Sequence, residues 1–130
     1  MATEFTVILP DQPGSLARLG HALGDARINI EAIHVITRNG EGVVRFVPAD
    51  PAAAGRALDV SGFRHTSREV LVVSVLDQPG ALGDVVLVMA TAGINIDSLY
   101  VTTRGHVVLG VDDLASAIQV AGGMAVMIGE

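Results

Sequence analysis

An aspartate followed by a Pro-Gly pair, with a helical pattern directly behind it, occurs twice in this chain. Asp11-Gln12-Pro13-Gly14-Ser15-Leu16 returns 66 residues later as Asp77-Gln78-Pro79-Gly80-Ala81-Leu82, and Ile28-Asn29-Ile30 returns at the same spacing as Ile94-Asn95-Ile96. The chemistry open to such a turn is anion binding. Proline fixes φ, glycine allows a backbone conformation or a close approach that side chains forbid, and a helix start presents unpaired N–H donors at the positive end of its dipole. Taken singly, Asp-x-Pro-Gly is an ordinary turn in which the aspartate bonds its own backbone. Its repetition, with Asn-Ile following at one spacing, favours a ligand reading over the plain turn.

The elements that must position these residues are also repeated. Phe5 to Leu9 and Val70 to Leu76 read as strands rich in β-branched and aliphatic residues. Behind each turn, Leu16, Leu19, Leu23 and Ala26 in the first copy, and Leu82, Val85, Val86 and Met89 in the second, give a one-sided helix. The similarity extends through strand two, with Glu31 falling on Asp97, Ile33 on Leu99, Val35 on Val101 and Thr37-Arg38 on Thr103-Arg104. One unit has been used twice, and we expect domains at 1–68 and 69–130.

Strand two should carry a bulge near Glu31-Ala32, because Ile28 and Ile30 share one face while Ile33, Val35 and Thr37 share the other. Arg38 to Gly42 reads as a hairpin, since Asn39-Gly40 supplies the positive φ values of a tight turn. Val43 to Val47 returns as strand three, Asp50 caps a helix with Pro51 at its first position, and a fourth strand is expected within Phe63 to Arg68. The second copy has a turn two residues shorter at Arg104-Gly105-His106. It continues with strand three at Val107 to Val111, a helix capped at Asp112-Asp113, and a last strand at Met124 to Ile128. Each half reads β-α-β-β-α-β. The fold class expected is α+β, two tandem ferredoxin-like units, each an antiparallel four-stranded sheet with its helices on one face.

Composition narrows the function. Half of the residues are hydrophobic and only 3% aromatic, so the cores are aliphatic. Eight basic residues against fourteen acidic ones give a net charge of −6, with the arginines scattered, which disfavours nucleic acid as a partner. No apolar run approaches the roughly 18 residues that span a bilayer, and no membrane partner is expected. The start of the chain lacks the basic and apolar regions of a secretory signal, and there is no cysteine, so a cytoplasmic address is expected. His21, His34, His65 and His106 fall on different elements without a His-x-x-x-His pair, and no metal site or cofactor is expected. His34, on strand two, is a candidate contact for a ligand side chain, with a core or exposed role as the plainer account. Arg38 and Arg104 read as solvated hairpin charges, with an oligomer interface as the alternative. Gly40-Glu41-Gly42 lies in a hairpin and is no dinucleotide fingerprint, and no nucleophile elbow or phosphate loop is present.

A strand running into Asp-x-Pro-Gly-x-Leu, an amphipathic helix, and Gly-Ile-Asn-Ile opening the next strand resemble the ACT domain. The second copy matches at Asp77, Pro79, Gly80, Leu82, Gly93, Ile94, Asn95 and Ile96, while the first departs at Arg27, where the glycine is missing. The resemblance covers nearly the whole chain, as two copies. It implies a regulatory module that binds an amino acid at an interface between copies, and a free-standing tandem protein without an appended catalytic domain is expected.

An amino acid offers a carboxylate beside an ammonium, and the residues suit both. The helix start at Gly14, Ser15 and Leu16, or at Gly80, Ala81 and Leu82, supplies N–H donors for the carboxylate, and Asp11 or Asp77 accepts from the ammonium. Asn29 with Ile30, or Asn95 with Ile96, would complete the site, the asparagine amide serving either group. If two copies face each other, a site takes its loop from one and its asparagine from the other. The plainer account of Asn29 and Asn95 is that they satisfy loop backbone groups.

The function expected is therefore a non-enzymatic amino-acid sensor, a homodimer built on exposed sheet edges, with a metabolic enzyme as a possible partner. The alternative is a constitutive regulatory subunit that docks on an enzyme and keeps a vestigial ligand site. An enzyme akin to small ferredoxin-like isomerases or acylphosphatases would need a catalytic group that the sequence does not offer.

Overall fold

A computed structural model describes residues 1–128. The chain divides into two compact units, Thr3–Arg68 and Met1–Ala2 with Glu69–Ile128. In the first, β1 (Ala2–Pro10), α1 (Ser15–Asp25), β2 (Ile30–Arg38), β3 (Glu41–Pro48) and α2 (Pro51–Val60) lead into β4 (His65–Val73). The second takes up the later half of β4 and adds α3 (Ala81–Thr91), β5 (Ile96–Val101), β6 (Val107–Val111) and α4 (Leu114–Ala121). Strand order is β2-β3-β1-β4 in the first unit and β4-β6-β5 in the second.

The ladders are antiparallel, and the short turns that join β2 to β3 and β5 to β6 require it of those two pairs. β1 pairs with β3 from Phe5↔Phe46 to Pro10↔Glu41, and β2 pairs with β3 to Arg38↔Glu41. The register of β2 shifts between Ile30 and Ala32, and that of β5 between Ile96 and Ser98, which is the bulge the split apolar phase requires. At the first hairpin Asn39 (φ 52°) and Gly40 (φ 78°) both take the left-handed conformation, as a two-residue turn of the primed type demands.

Each core lies between a sheet face and its helices; the second is aliphatic as expected, whereas the first also takes in all three phenylalanines, Phe5, Phe46 and Phe63. Alternate residues Phe5, Val7 and Leu9 of β1 meet Leu19 and Leu23 of α1 and Ala54 and Leu58 of α2. In the second unit Leu71 and Val73 meet Val85 and Met89 of α3 and Ala117 and Ala121 of α4. Of the apolar helix positions read from sequence, the pairs Leu19/Leu23 and Val85/Met89 are buried, whereas Leu16 is 47% and Leu82 40% exposed. These two leucines stand in the first turn of α1 and α3, beside the loops.

Three boundaries differ from the sequence reading. The strands expected at Phe63–Arg68 and Val70–Leu76 are one strand, β4, and residues 74–76 lie beyond it. No glycine or proline interrupts the extended pattern between them, so nothing ends the ladder at Arg68. The last strand, expected at Met124–Ile128, begins with a 3₁₀ turn, Gly122–Met124, and is reduced to a bridge between Ala125 and Val73. The segment stays tied to the second unit by hydrogen bonds from Val126 N–H to Val72 O (2.8 Å) and from Ile128 N–H to Met1 O (2.9 Å).

The helix caps follow the sequence. Asp50 Oδ1 accepts from Ala53 N–H (3.1 Å), with Pro51 at the first helical position. Asp113 accepts from Ser116 N–H (3.1 Å) and Ser116 Oγ (2.7 Å), which together hold its carboxyl below the usual carboxylate range. Its neighbour Asp112 has separate work: Oδ1 accepts from Asn95 N–H (3.0 Å). Among the described residues no helix is long and apolar enough to cross a membrane.

Candidate functional site

Each Asp-x-Pro-Gly turn is the same object built twice. Gly14 (φ 91°) and Gly80 (φ 87°) precede α1 and α3 in the left-handed region, where a side chain would be strained. Ser15 N–H donates to Gln12 O (3.3 Å), Arg18 N–H to Gly14 O (3.0 Å), and their counterparts Ala81 and Asp84 do the same to Gln78 and Gly80 (3.2 and 3.0 Å). Neither helix has a side-chain cap. Among the described residues no group accepts from the amides of Leu16 and Ala17, or from those of Leu82 and Gly83. Each loop thus presents two open donors beside an exposed aspartate, Asp11 or Asp77.

A cleft opens beside each loop. In the first unit it measures about 140 Å³ and is lined by Asp11, Gln12, Ser15 and Leu16 with Val35, Thr37 and Gly42 of the hairpin strands, among others. In the second it measures about 300 Å³, between Val75, Leu76, Asp77, Gln78 and Leu82 on one side and Val101, Gly105 and Val107 on the other. The strand residues Val35, Thr37, Val101 and Val107 were not singled out as site residues from sequence, although Val35 and Val101 occupy equivalent positions of the repeat and so carried a signal.

The asparagines stand elsewhere within their own unit. β1 and β2 both run antiparallel to β3, so they are parallel to each other; the loop follows the end of β1, while Asn29 precedes the start of β2. The 11 residues of α1 separate the two by roughly 16 Å along the helix axis. The second unit repeats this order with Asp77, α3 and Asn95. Neither cleft includes Asn29 and Ile30, or Asn95 and Ile96, nor do Gly14, Gly80 and Ala81 line them.

The backbone of each asparagine is tied to the turn before the unit's second helix. Ala49 N–H donates to Asn29 O (2.9 Å), and Asp112 N–H donates to Asn95 O (3.2 Å). Both asparagine side chains are exposed.

His34 also lies away from the first cleft, opposite Arg45 in the β2–β3 ladder. Burial first, and then the positive charge of Arg45, hold its imidazole below the ordinary value of 6.5, opposed by the negative charge of Glu4. Glu4 is itself buried and accepts from Arg68 Nε (2.9 Å). Among the described residues no cluster of His, Asp and Glu could hold a metal ion.

Comparison with known proteins adds the family. The ACT domain model matches residues 3–60 and again 70–119. A search of curated proteins finds no match for this chain. Among solved structures, a protein of Bacteroides thetaiotaomicron superposes with a TM-score of 0.85 at 24% identity, over 92% of this chain and 85% of that one. The ligand-free regulatory subunit of aspartate kinase from Thermus thermophilus gives 0.71 at 20% identity, over 92% and 87%. The corresponding subunit from Thermus flavus gives 0.63 at 20%, over 92% and 89%. At these identities the structural likenesses speak for the fold, and the tandem match of the family model carries the assignment: the chain belongs to the ACT domain family.

Proposed function

We propose that this chain is a non-enzymatic regulatory protein that binds a free amino acid, its two ACT domains at 1–68 and 69–130 acting as the ligand-binding and signal-passing parts. ACT domains and regulatory subunits of aspartate kinase among its structural relatives point to ligand-binding regulation. The ligand is held where two ACT copies meet. Asp11 or Asp77 takes the ammonium, the loop and helix start (Gly14, Ser15 and Leu16, or Gly80, Ala81 and Leu82) take the carboxylate, and a second copy contributes Asn29 and Ile30, or Asn95 and Ile96.

One observation supports this composite site above the others. Within a unit the loop and the asparagine lie at opposite ends of the first helix, too far apart for one small ligand, yet both recur in the two copies. Signal transfer then follows from differential binding, since occupancy favours whichever arrangement brings loop and asparagine together. The protein is a cytoplasmic homodimer that acts on a metabolic enzyme. β2 and β5 end their strand orders, and such unpaired edges are natural sites for association.

A second reading is favoured by the size of the first cleft. At about 140 Å³ it falls well below the roughly 300 Å³ at which ligand pockets begin, as expected of a docking module whose site is vestigial.

Thermal unfolding of the purified chain against each of the twenty amino acids separates the two. A ligand that binds only the folded state stabilises it by about 2.7 kcal/mol at 100 times its Kd, which moves the midpoint by several degrees. A shift with one amino acid or a related few, lost in Asp77→Ala or Asn95→Ala, supports the sensor. No shift with any amino acid at millimolar concentration leaves the docking module.

A further inference from the structure

The two clefts differ in what they can hold, and the difference names a class of ligand. Five of the eight residues lining the second cleft are aliphatic: Val75, Leu76, Leu82, Val101 and Val107. Three of them are substantially exposed, Leu76 at 72%, Val101 at 59% and Leu82 at 40%, so this wall is left open to water. Among the described residues Asp77 is the one ionisable group in the lining. Arg104 is next to Gly105 in the adjoining turn and is not part of the lining, and Asp84 adds a second negative charge in the first turn of α3.

We infer that the second unit carries the selective half of the ligand site and that its ligand is a neutral amino acid with an aliphatic side chain. This rests on the amino-acid-binding reading above and deepens it. Asp77 accepts from the α-ammonium, which uses the one carboxylate the lining offers. A basic side chain then finds no second carboxylate in the described lining, where Gln78 offers only a neutral amide oxygen and Asp84 stands outside, and an acidic one finds no cation there and faces the charges of Asp77 and Asp84. An aliphatic side chain needs no partner and covers Leu76, Leu82 and Val101, removing their apolar surface from water. Glycine fits but covers nothing. The first cleft, at about 140 Å³ and lined in part by the hydroxyls of Ser15 and Thr37, lacks the space for this exchange.

Titration calorimetry of the full chain with valine, leucine, glycine, aspartate and lysine tests the inference. The expected result is that valine and leucine bind tenfold or more tightly than glycine, in line with the 10- to 200-fold that one methylene is worth in an apolar pocket, while aspartate and lysine give no saturable heat at the same concentrations. Asp77→Asn and Val101→Asp should each weaken valine and leucine binding tenfold or more, and Asp25→Asn, at the far end of α1 and outside both clefts, should leave it within about twofold. All three positions are exposed, and circular dichroism on each variant verifies that it is folded. Preference for a charged amino acid, equal affinity for glycine, or loss of binding in Asp11→Asn but not in Asp77→Asn overturns the inference and leaves the amino-acid sensor standing. No binding by any amino acid overturns the sensor and the inference with it.

Discussion

The two units place the same turn at the end of unequal hairpins, and that inequality decides how much room is left beside the turn. In the first unit β2 and β3 run on to Arg38↔Glu41, and the Asn39-Gly40 turn reaches far enough for Asp11 N–H to donate to Gly40 O (3.1 Å). In the second the pairing of β4 with β6 stops at Val73↔Val107, and residues 74–76 leave the sheet before Asp77. There Thr102 closes the turn on itself: its N–H donates to His106 O (2.8 Å), and its Oγ1 accepts from Arg104 N–H (3.2 Å) and His106 N–H (3.0 Å). Val35 pairs with Val44 nine residues on, and Val101 with Val107 six residues on, so the second hairpin is three residues shorter, one more than the two read from sequence, and this separates a cleft of about 140 Å³ from one of about 300 Å³.

The deepest test of the equivalence is in the cores. Leu23 and Met89 occupy the same helix position, at 1% and 0% exposure. Leu23→Ala and Met89→Ala should each cost about 2–5 kcal/mol, from lost transfer energy and the cavity left behind. Urea unfolding measures both, and a cost below about 1 kcal/mol at either position would mean that its helix does not seal its sheet as the other does.

The hairpin argument makes a sharper demand. Inserting Asn-Gly-Glu between Arg104 and Gly105 should give the second turn the length and reach of the first, close its cleft, and reduce amino-acid affinity tenfold or more, about 1.4 kcal/mol. A folded insertion variant that binds as before would break the link between hairpin length and cleft.

A smaller effect separates the units at the exit of their first helices. Arg27 (φ 58°) holds the left-handed conformation that Gly93 (φ 76°) holds in the second unit. A side chain there costs about 1 kcal/mol or more, so Arg27→Gly should raise stability by up to about 1 kcal/mol, reduced by the added freedom of glycine in the unfolded chain. Gly93→Arg should lower stability by a similar amount. Opposite signs in urea midpoints are the result that counts.

Much of this was legible before the coordinates. The 66-residue spacing gave the tandem architecture, Asn39-Gly40 the hairpin, the split phase at Glu31-Ala32 the bulge, and Asp50-Pro51 the start of α2, because each is local chemistry written in adjacent residues. What was not legible depends on how strands are ordered. Repetition marked Asp11 and Asn29 as a set, yet only the parallel run of β1 and β2 reveals that they sit at opposite ends of α1. Leu16 and Leu82 fit the helical period of the apolar stripe, yet in the first turns of α1 and α3 they line the clefts instead. The end of β4 and the reduced last strand were missed because an extended aliphatic run does not state which of its residues find a ladder partner.

The smallest expected difference is one of pH. His34 of the first unit corresponds to Tyr100 of the second, at the same 66-residue spacing, so only the first unit titrates at this position near neutrality. Burial and Arg45 hold the folded-state value of His34 below 6.5, against the opposing pull of Glu4. Between the folded-state value and 6.5 the unfolded chain therefore binds more protons than the folded one, and stability rises with pH across that window. The contribution is fully present above 6.5 and is lost as pH falls through the folded-state value. His34→Tyr should remove that part of the pH dependence, so that the difference in stability between pH 6 and pH 8 shrinks relative to the unsubstituted chain. Urea midpoints at pH 5, 6 and 8 measure the slope, and a histidine resonance titrating at or above 6.5 in the folded chain, assigned by its loss in the variant, would contradict the sign.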